Sequence, residues 1–217
     1  MMSKPQKMVF IATSVSMFCM SSKKIIAGLS LSFLFATQVQ AVFTDVHETT
    51  PYAIAIGNLQ AKGIVAGYAD GSFRPKKTIN RAEFAKIIVA MLPGFGSEDD
   101  CGNLFPDVPR DAWFAPYVCV GKSRKWLLGN PDGTFRPNDP VNFVEAAKVI
   151  ALAFALHPNT SDTQYEGFTG ERLQAWYKPY VVALEQKHAI PETVTFFNSP
   201  LERGELVEMI DRLQAER

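Results

Sequence analysis

The sequence predicts a mainly α fold in which three repeats form a pseudo-trimer around a central three-helix bundle. The first observation behind this is a repeated segment. GYADGSFRPKKTINRAEF, Gly67 to Phe84, returns as GNPDGTFRPNDPVNFVEA from Gly129, at an offset of 62 residues. Phe43, Asp45 and Val46 fall on Phe105, Asp107 and Val108 in the same register, and Asn80, Glu83, Lys86 and Ile88 fall on Asn142, Glu145, Lys148 and Ile150. A fixed period of this kind marks a repeat architecture. The second observation is periodicity. Phe84, Ile87, Ile88 and Met91 recur at helical spacing, as do Ala146, Val149, Ile150 and Ala153, and Leu206, Met209, Ile210 and Leu213. The third is physical: a helix with one apolar stripe cannot bury it alone, and three such helices can bury their stripes against one another.

In chain order, residues 1–41 read as a secretory leader. Lys23 and Lys24 precede the apolar run IIAGLSLSFLFA, and TQVQA ends at Ala41 with the small residues of a cleavage site. Translation starts at Met1 or Met20, and a retained amphipathic anchor is the alternative to cleavage. The apolar run is too short for a confident membrane span, and no later segment is long enough. Of 22 Lys and Arg, four lysines (Lys4, Lys7, Lys23 and Lys24) lie in the leader, which has no acid, so the remainder is acidic by four. That balance argues against nucleic acid as a partner.

Repeat 1 spans 43–92, repeat 2 spans 105–156, and a degenerate repeat 3 spans 165–217. PGFGSEDDCGN from Pro93 and HPNTSDTQYEG from His157 are the linkers. The earlier helix of each repeat carries Tyr52, Ile56 and Leu59, then Phe114, Tyr117 and Val118, then Tyr177, Tyr180, Val181 and Leu184, and is expected outside the bundle. Asp70-Gly71 and Asp132-Gly133 are turn dipeptides. Asn80-x-x-Glu83 and Asn142-x-x-Glu145 are capping boxes heading the later helices. Ser199-Pro200-Leu201-Glu202 is a similar start signal, with Pro at the first helical position. Cys19 leaves with the leader. Cys101 and Cys119, an even pair in an exported chain, read as a disulfide, the alternative being two unrelated buried thiols.

Together, FTDV and FPDV, an aromatic helix, G-x-x-x-G-Y-x-D-G-x-F-R-P and INRAEF at a helix head resemble the S-layer homology (SLH) domain. The resemblance covers nearly the whole chain after the leader. It implies three repeats forming a pseudo-trimer, and grooves between neighbours that bind secondary cell-wall polysaccharide, in some members pyruvylated, or peptidoglycan. It also implies a secreted protein of the bacterial cell envelope, with S-layer or other envelope proteins as further partners.

The chemistry behind INRAEF is that of an anion site. A helix N-terminus presents unpaired N–H groups and the positive end of a dipole, and an arginine adds a planar, bidentate donor. Arg81 and Arg203 hold that position, and the Arg81 groove is expected to be the principal glycan site with the Arg203 groove secondary. Repeat 2 places Phe143 there, so its site is expected to have lost acid binding. Asp45 and Asp107 match the family pattern and are candidate glycan contacts, with turn or cap duty as the alternative. Trp113 and Trp176 could stack on sugar or belong to the core. Glu83, Glu145 and Glu205 also match the motif, and capping accounts for them.

His47, His157 and His188 are scattered, and neither a nucleophile elbow, zinc spacing nor a phosphate loop occurs. Glu98-Asp99-Asp100 sits on a linker and reads as solvated charge, with weak Ca²⁺ binding as the alternative. The expectation is no catalytic residue, no metal and no cofactor. The function expected is non-catalytic anchoring to the cell wall, and the alternative is a protein-assembly platform of the surface layer without glycan binding.

Overall fold

The computed structural model of the protein describes residues 43–91, 104–157 and 176–216, all within the compact unit Val39–Arg217. The leader, Cys101, and the Phe168-Thr169-Gly170 that stands in repeat 3 where the other repeats have F-x-D-V lie outside the described residues. Among the described residues six helices account for the regular structure, two in each expected repeat: α1 (Ala53–Ala61), α2 (Arg81–Ala90), α3 (Ala115–Ser123), α4 (Phe143–Ala153), α5 (Lys178–Glu185) and α6 (Arg203–Ala215). Among the described residues the remainder is turns and isolated bridges. The fold is mainly α.

The later helix of each repeat starts where local chemistry satisfies its first amides. In α2 the Glu83 N–H donates to Asn80 Oδ1 at 2.8 Å, and Glu83 Oε2 accepts from the Asn80 N–H at 3.5 Å. In α4 the Glu145 N–H donates to Asn142 Oδ1 at 2.9 Å, with the return bond at 3.2 Å. The start of α6 differs from its sequence signal. Its cap residue is Glu202, whose N–H donates to Glu205 Oε2 at 2.9 Å, and Pro200 does not open the helix. Ser199 and Pro200 are spent on another repeat instead: the Ser199 carbonyl accepts the Phe143 N–H, and Pro200 bridges to Asn142.

That exchange belongs to a cycle. The Ile79 N–H donates to the Leu201 carbonyl at 2.9 Å, Leu201 N–H to the Val141 carbonyl at 2.8 Å, and Val141 N–H to the Ile79 carbonyl at 3.1 Å. Each donor stands just before a later helix, and all three residues are buried. The first two amides of each later helix continue the pattern into the preceding turn of another repeat. Arg81 and Ala82 donate to Asp139 and Pro137, Phe143 and Val144 to Ser199 and Phe197, and Arg203 and Gly204 to Lys77 and Pro75.

The helix pairs in closest approach are α1 with α6, α2 with α3, and α4 with α5. Each later helix therefore lies nearest the first helix of another repeat. The interlocked turns at the same time seat each later-helix head against a neighbouring repeat. Their stripes still enter one continuous core, with Phe84, Ile88, Ile150, Leu206 and Ile210 all buried. Ile56, Leu59, Val118, Val181 and Leu184 of the earlier helices are buried there as well.

The repeated turn is built from its own motif. The Asp70 carboxylate accepts from the Ser72 N–H and hydroxyl and pairs with Arg74 at 2.6 Å. Asp132, Thr134 and Arg136 reproduce the arrangement. Asp45 Oδ1 and Oδ2 each accept a backbone N–H at 2.7 Å, from Phe73 and Arg74. Asp107 does the same for Phe135 and Arg136. These bonds fix two buried rings, Phe73 and Phe135, between turn and helix heads.

Because the cycle needs all three members, a chain ending at His157 should not fold as two-thirds of the parent. It strands the amides of Ile79, Phe143 and Val144 and strips the partners from α1 and α4. A buried unpaired amide costs roughly 1–3 kcal/mol, against a typical total stability of about 5–15 kcal/mol. Circular dichroism should show loss of the cooperative thermal transition, and a melt close to the parent's would refute it. Asn142→Ala, by contrast, should cost only about 1 kcal/mol in a urea titration, the worth of one helix cap.

Candidate functional site

The helix heads do not offer the open amides that the sequence suggested. Arg81 and Ala82 each donate at 3.0 Å to carbonyls of the second repeat, and the Glu83 amide is taken by Asn80. Arg203 and Gly204 donate at 2.9 and 2.8 Å to carbonyls of the first repeat. A bound carboxylate would have to displace internal bonds that hold the repeats together. Anion chemistry at these positions therefore falls to side chains.

Both arginines are held in shape by an aromatic ring and a carbonyl. Arg81 Nε donates to the Phe135 carbonyl at 2.6 Å, with its guanidinium 4.9 Å from the Phe135 ring centre. Arg203 Nε donates to the Phe73 carbonyl at 3.1 Å and a terminal nitrogen to the Ala66 carbonyl at 3.2 Å. Its guanidinium lies 4.6 Å from the Phe73 ring and 4.9 Å from that of Tyr68. A guanidinium has five N–H donors, so these bonds orient the fork without exhausting it. Burial pushes the Arg81 guanidinium down from its ordinary value, opposed by the charges of Glu145, Asp139 and Asp107.

Around each arginine runs a solvent-open groove, and the two are built from equivalent positions. The Arg81 groove takes Leu128 and Asn130 from repeat 2, Glu145 and Lys148 from α4, and Trp176. The Arg203 groove takes Ala66 and Tyr68 from repeat 1, Glu83 and Lys86 from α2, and Trp113. Trp113 is 56% exposed and Trp176 49%, which removes the core alternative for both. Lys86 Nζ lies 5.8 Å from the Trp113 ring centre.

Asp45 and Asp107 do not line either groove, and both oxygens of each carboxylate serve turn amides. Glu83 and Glu145 do line grooves while capping their helices. Sequence reasoning missed Lys86, Lys148 and Tyr68. The available signal was that Lys86 and Lys148 keep the repeat register while standing off the buried stripe.

The third equivalent position has changed character. Phe143 is buried, stacked on Phe197 with ring centres 6.1 Å apart and planes 20° from parallel. Thr193 Oγ1 donates to Glu205 Oε1 at 2.9 Å, as the Tyr68 hydroxyl does to Glu83 Oε1 at 2.8 Å. Glu208 stands where the other later helices carry Lys86 and Lys148. An arginine has become a ring and a lysine a carboxylate.

Comparison with known proteins agrees with this architecture. The profile of the S-layer homology domain matches residues 42–85 and 104–147, the first two repeats. The chain is 27% identical over 179 residues to the Middle cell wall protein of Brevibacillus brevis, covering 82% of the chain and 16% of that protein. It is 32% identical over 145 residues to the Surface layer protein of Brevibacillus choshinensis, covering 63% and 13%. It is 30% identical over 111 residues to the Cellulosome-anchoring protein of Acetivibrio thermocellus, covering 50% and 25%. The chain thus spans a quarter or less of the length of these relatives. No helix among the described residues is long and apolar enough to cross a membrane. Two segments of the chain, 42–85 and 104–147, thus match the S-layer homology domain, and with the similarity to surface-layer and cell wall proteins they indicate a secreted cell-surface protein.

Proposed function

We propose that the chain is a non-catalytic anchoring module that holds to the cell wall by non-covalent binding of secondary cell-wall polysaccharide or peptidoglycan. One observation carries this: two open grooves at equivalent positions each combine a ring-held arginine, a lysine and an exposed tryptophan. A fixed guanidinium presents paired donors to a sugar hydroxyl or carboxylate. An exposed indole offers an apolar face with a polar edge, suited to the C–H face of a sugar ring. The names of the relatives, a middle cell wall protein and a cellulosome-anchoring protein, support the same reading. The three repeats act as one pseudo-trimer, with 165–217 as its third member. Processing after Ala41 leaves Val42 at the N-terminus, and a Cys101–Cys119 disulfide ties the first linker to α3.

A second reading, an assembly platform contacting other envelope proteins, is favoured by apolar side chains that no groove explains. Ile54 is 81% exposed and Phe196 60%.

Sedimentation with purified wall material separates the two. Trp176→Ala and Trp113→Ala change exposed side chains and should weaken wall binding while leaving thermal melts unchanged. Arg81→Ala should weaken binding about tenfold or more, since a hydrogen bond to a charged group is worth roughly 1.5–3 kcal/mol. Arg81→Lys should restore only part of it, lacking the planar fork. If all these variants sediment like the parent, and Ile54→Ser or Phe196→Ser abolishes co-assembly instead, the platform reading replaces the glycan one.

Non-reducing peptide mapping of the exported protein should yield one Cys101–Cys119 cross-linked pair. Its intact mass should begin at Val42. Free thiols in freshly isolated protein would rule out the bond, and a retained leader would make the protein a membrane tether.

A further inference from the structure

We propose that the two grooves are specialised by charge, the Arg203 groove for an anionic sugar residue and the Arg81 groove for an uncharged one. This rests on the glycan reading above and reverses the order of importance expected from the sequence for an acidic ligand.

The difference lies in two register positions. Where repeat 1 has Tyr68 and Lys77, repeat 2 has Asn130 and Asp139. Beside the Arg203 groove, Lys77 Nζ donates to two of its lining residues, to Glu83 Oε1 at 3.0 Å and to the Tyr68 hydroxyl at 2.8 Å. The same hydroxyl donates to Glu83 Oε1 at 2.8 Å, and the Tyr68 ring carries the Arg203 guanidinium. Glu83 is thereby compensated inside the protein. Its burial would raise its pKa, but the bonds from Lys77 and Tyr68 and the charge of Arg203 hold its carboxyl below the usual value. Among the described residues Arg203 and Lys86 have no carboxylate within ion-pair distance, and the bonds of Arg203 go to carbonyls.

The Arg81 groove has the opposite arrangement. Asp139 supplies a carboxylate where repeat 1 supplies an ammonium, and no cation among the described residues lies within ion-pair distance of Glu145. Lys148 and Glu145 line the groove with Arg81, and Asp139, outside that lining, acts on Arg81 through its charge, so that among these described residues two positive charges stand against two negative ones. The Asp70–Arg74 and Asp132–Arg136 pairs close on themselves in both repeats and do not alter the comparison. Leu128, 62% exposed, and Trp176 make the rim of this groove more apolar than that formed by Ala66 and Trp113. In a partly desolvated groove a difference of two charges governs which ligand enters. One groove attracts a carboxylate or phosphate, and the other offers balanced polar groups and apolar walls.

The protein has three tryptophans, and their indole N–H resonances report the grooves separately. Trp113 lines the Arg203 groove, and Trp126 and Trp176 line the Arg81 groove. The probe is wall polysaccharide released from peptidoglycan and cut to oligosaccharides. It is used in three forms: native, with carboxyl groups reduced to alcohols, and with phosphates removed by cold hydrofluoric acid. The native form should shift Trp113 and Trp176. One of the two treatments should abolish the Trp113 response, identifying the anion as carboxylate or phosphate, while Trp176 still responds. A Trp113 response that survives both treatments, or a Trp176 response lost with it, overturns the specialisation.

Charge exchange gives the reciprocal test at exposed positions. Lys77→Asp should weaken the native glycan at Trp113 about tenfold, and Asp139→Lys should strengthen it at Trp176 about tenfold and make it sensitive to the same treatment. Unchanged titrations in both variants, with parental melts, also overturn it. If no indole responds to native glycan, the glycan reading itself falls and the specialisation falls with it.

Discussion

Three backbone hydrogen bonds, Ile79 to Leu201, Leu201 to Val141 and Val141 to Ile79, close on one another at the buried centre of the chain. Every member of that cycle comes from a different repeat, so none can be satisfied within its own unit. A buried amide without a partner is costly, and the cycle converts this cost into interdependence. It also sets the register of everything beyond it. Because Ile79, Val141 and Leu201 immediately precede the caps of α2, α4 and α6, joining them places each helix head in the turn of another repeat. The bridges Thr78 to Glu202, Asn80 to Pro140 and Asn142 to Pro200 follow from that placement.

The same constraint decides what the helix heads can do chemically. An isolated helix N-terminus is an anion site by default. Here its first amides serve as the glue between repeats, and the positive dipole end is answered by carbonyls of Asp139, Ser199 and Lys77. The arginines follow the backbone into the interface, where Phe135 and Phe73 lie beneath them as rings and their carbonyls take Nε. The motif therefore has two duties in a single turn of helix. Its backbone joins repeats, and its side chains project into the grooves that the joining creates.

Divergence among the repeats has acted on side chains and spared the backbone cycle. Phe143 replaces an arginine, yet its N–H still donates to Ser199. Glu208 replaces a lysine, and Thr193 takes the place of Tyr68 while keeping the bond to the capping glutamate. The third position can thus lose its cationic character without weakening the assembly, since stacking on Phe197 fills the volume. The joins between repeats and the lining of the grooves are carried by different atoms of the same residues, so the side chains can vary while the backbone cycle is kept.

Interactions that close within a few residues were legible in the sequence. The capping boxes at Asn80 and Asn142 span three residues, and the Asp70 and Asp132 turns span four, so spacing alone announced them. The two helices of each repeat were likewise written in the 3.6-residue period of their apolar positions. The 62-residue offset revealed that the units were alike but not how they interlock. Asp45 reaches Phe73 across 28 residues and Arg203 reaches Phe73 across 130, and no local pattern encodes such pairs. Ser199 and Pro200 read as a helix start because that dipeptide usually is one; the tertiary structure gave their backbone to α4 instead. Whether Trp113 and Trp176 were core or groove residues also waited on packing, because an aromatic residue beside a helix start suits either place equally. The sequence by itself determined the repeats, their helices and the residue types of the site. The tertiary structure decided which repeat each amide, ring and charge would serve, because those partners meet only after the chain has closed on itself.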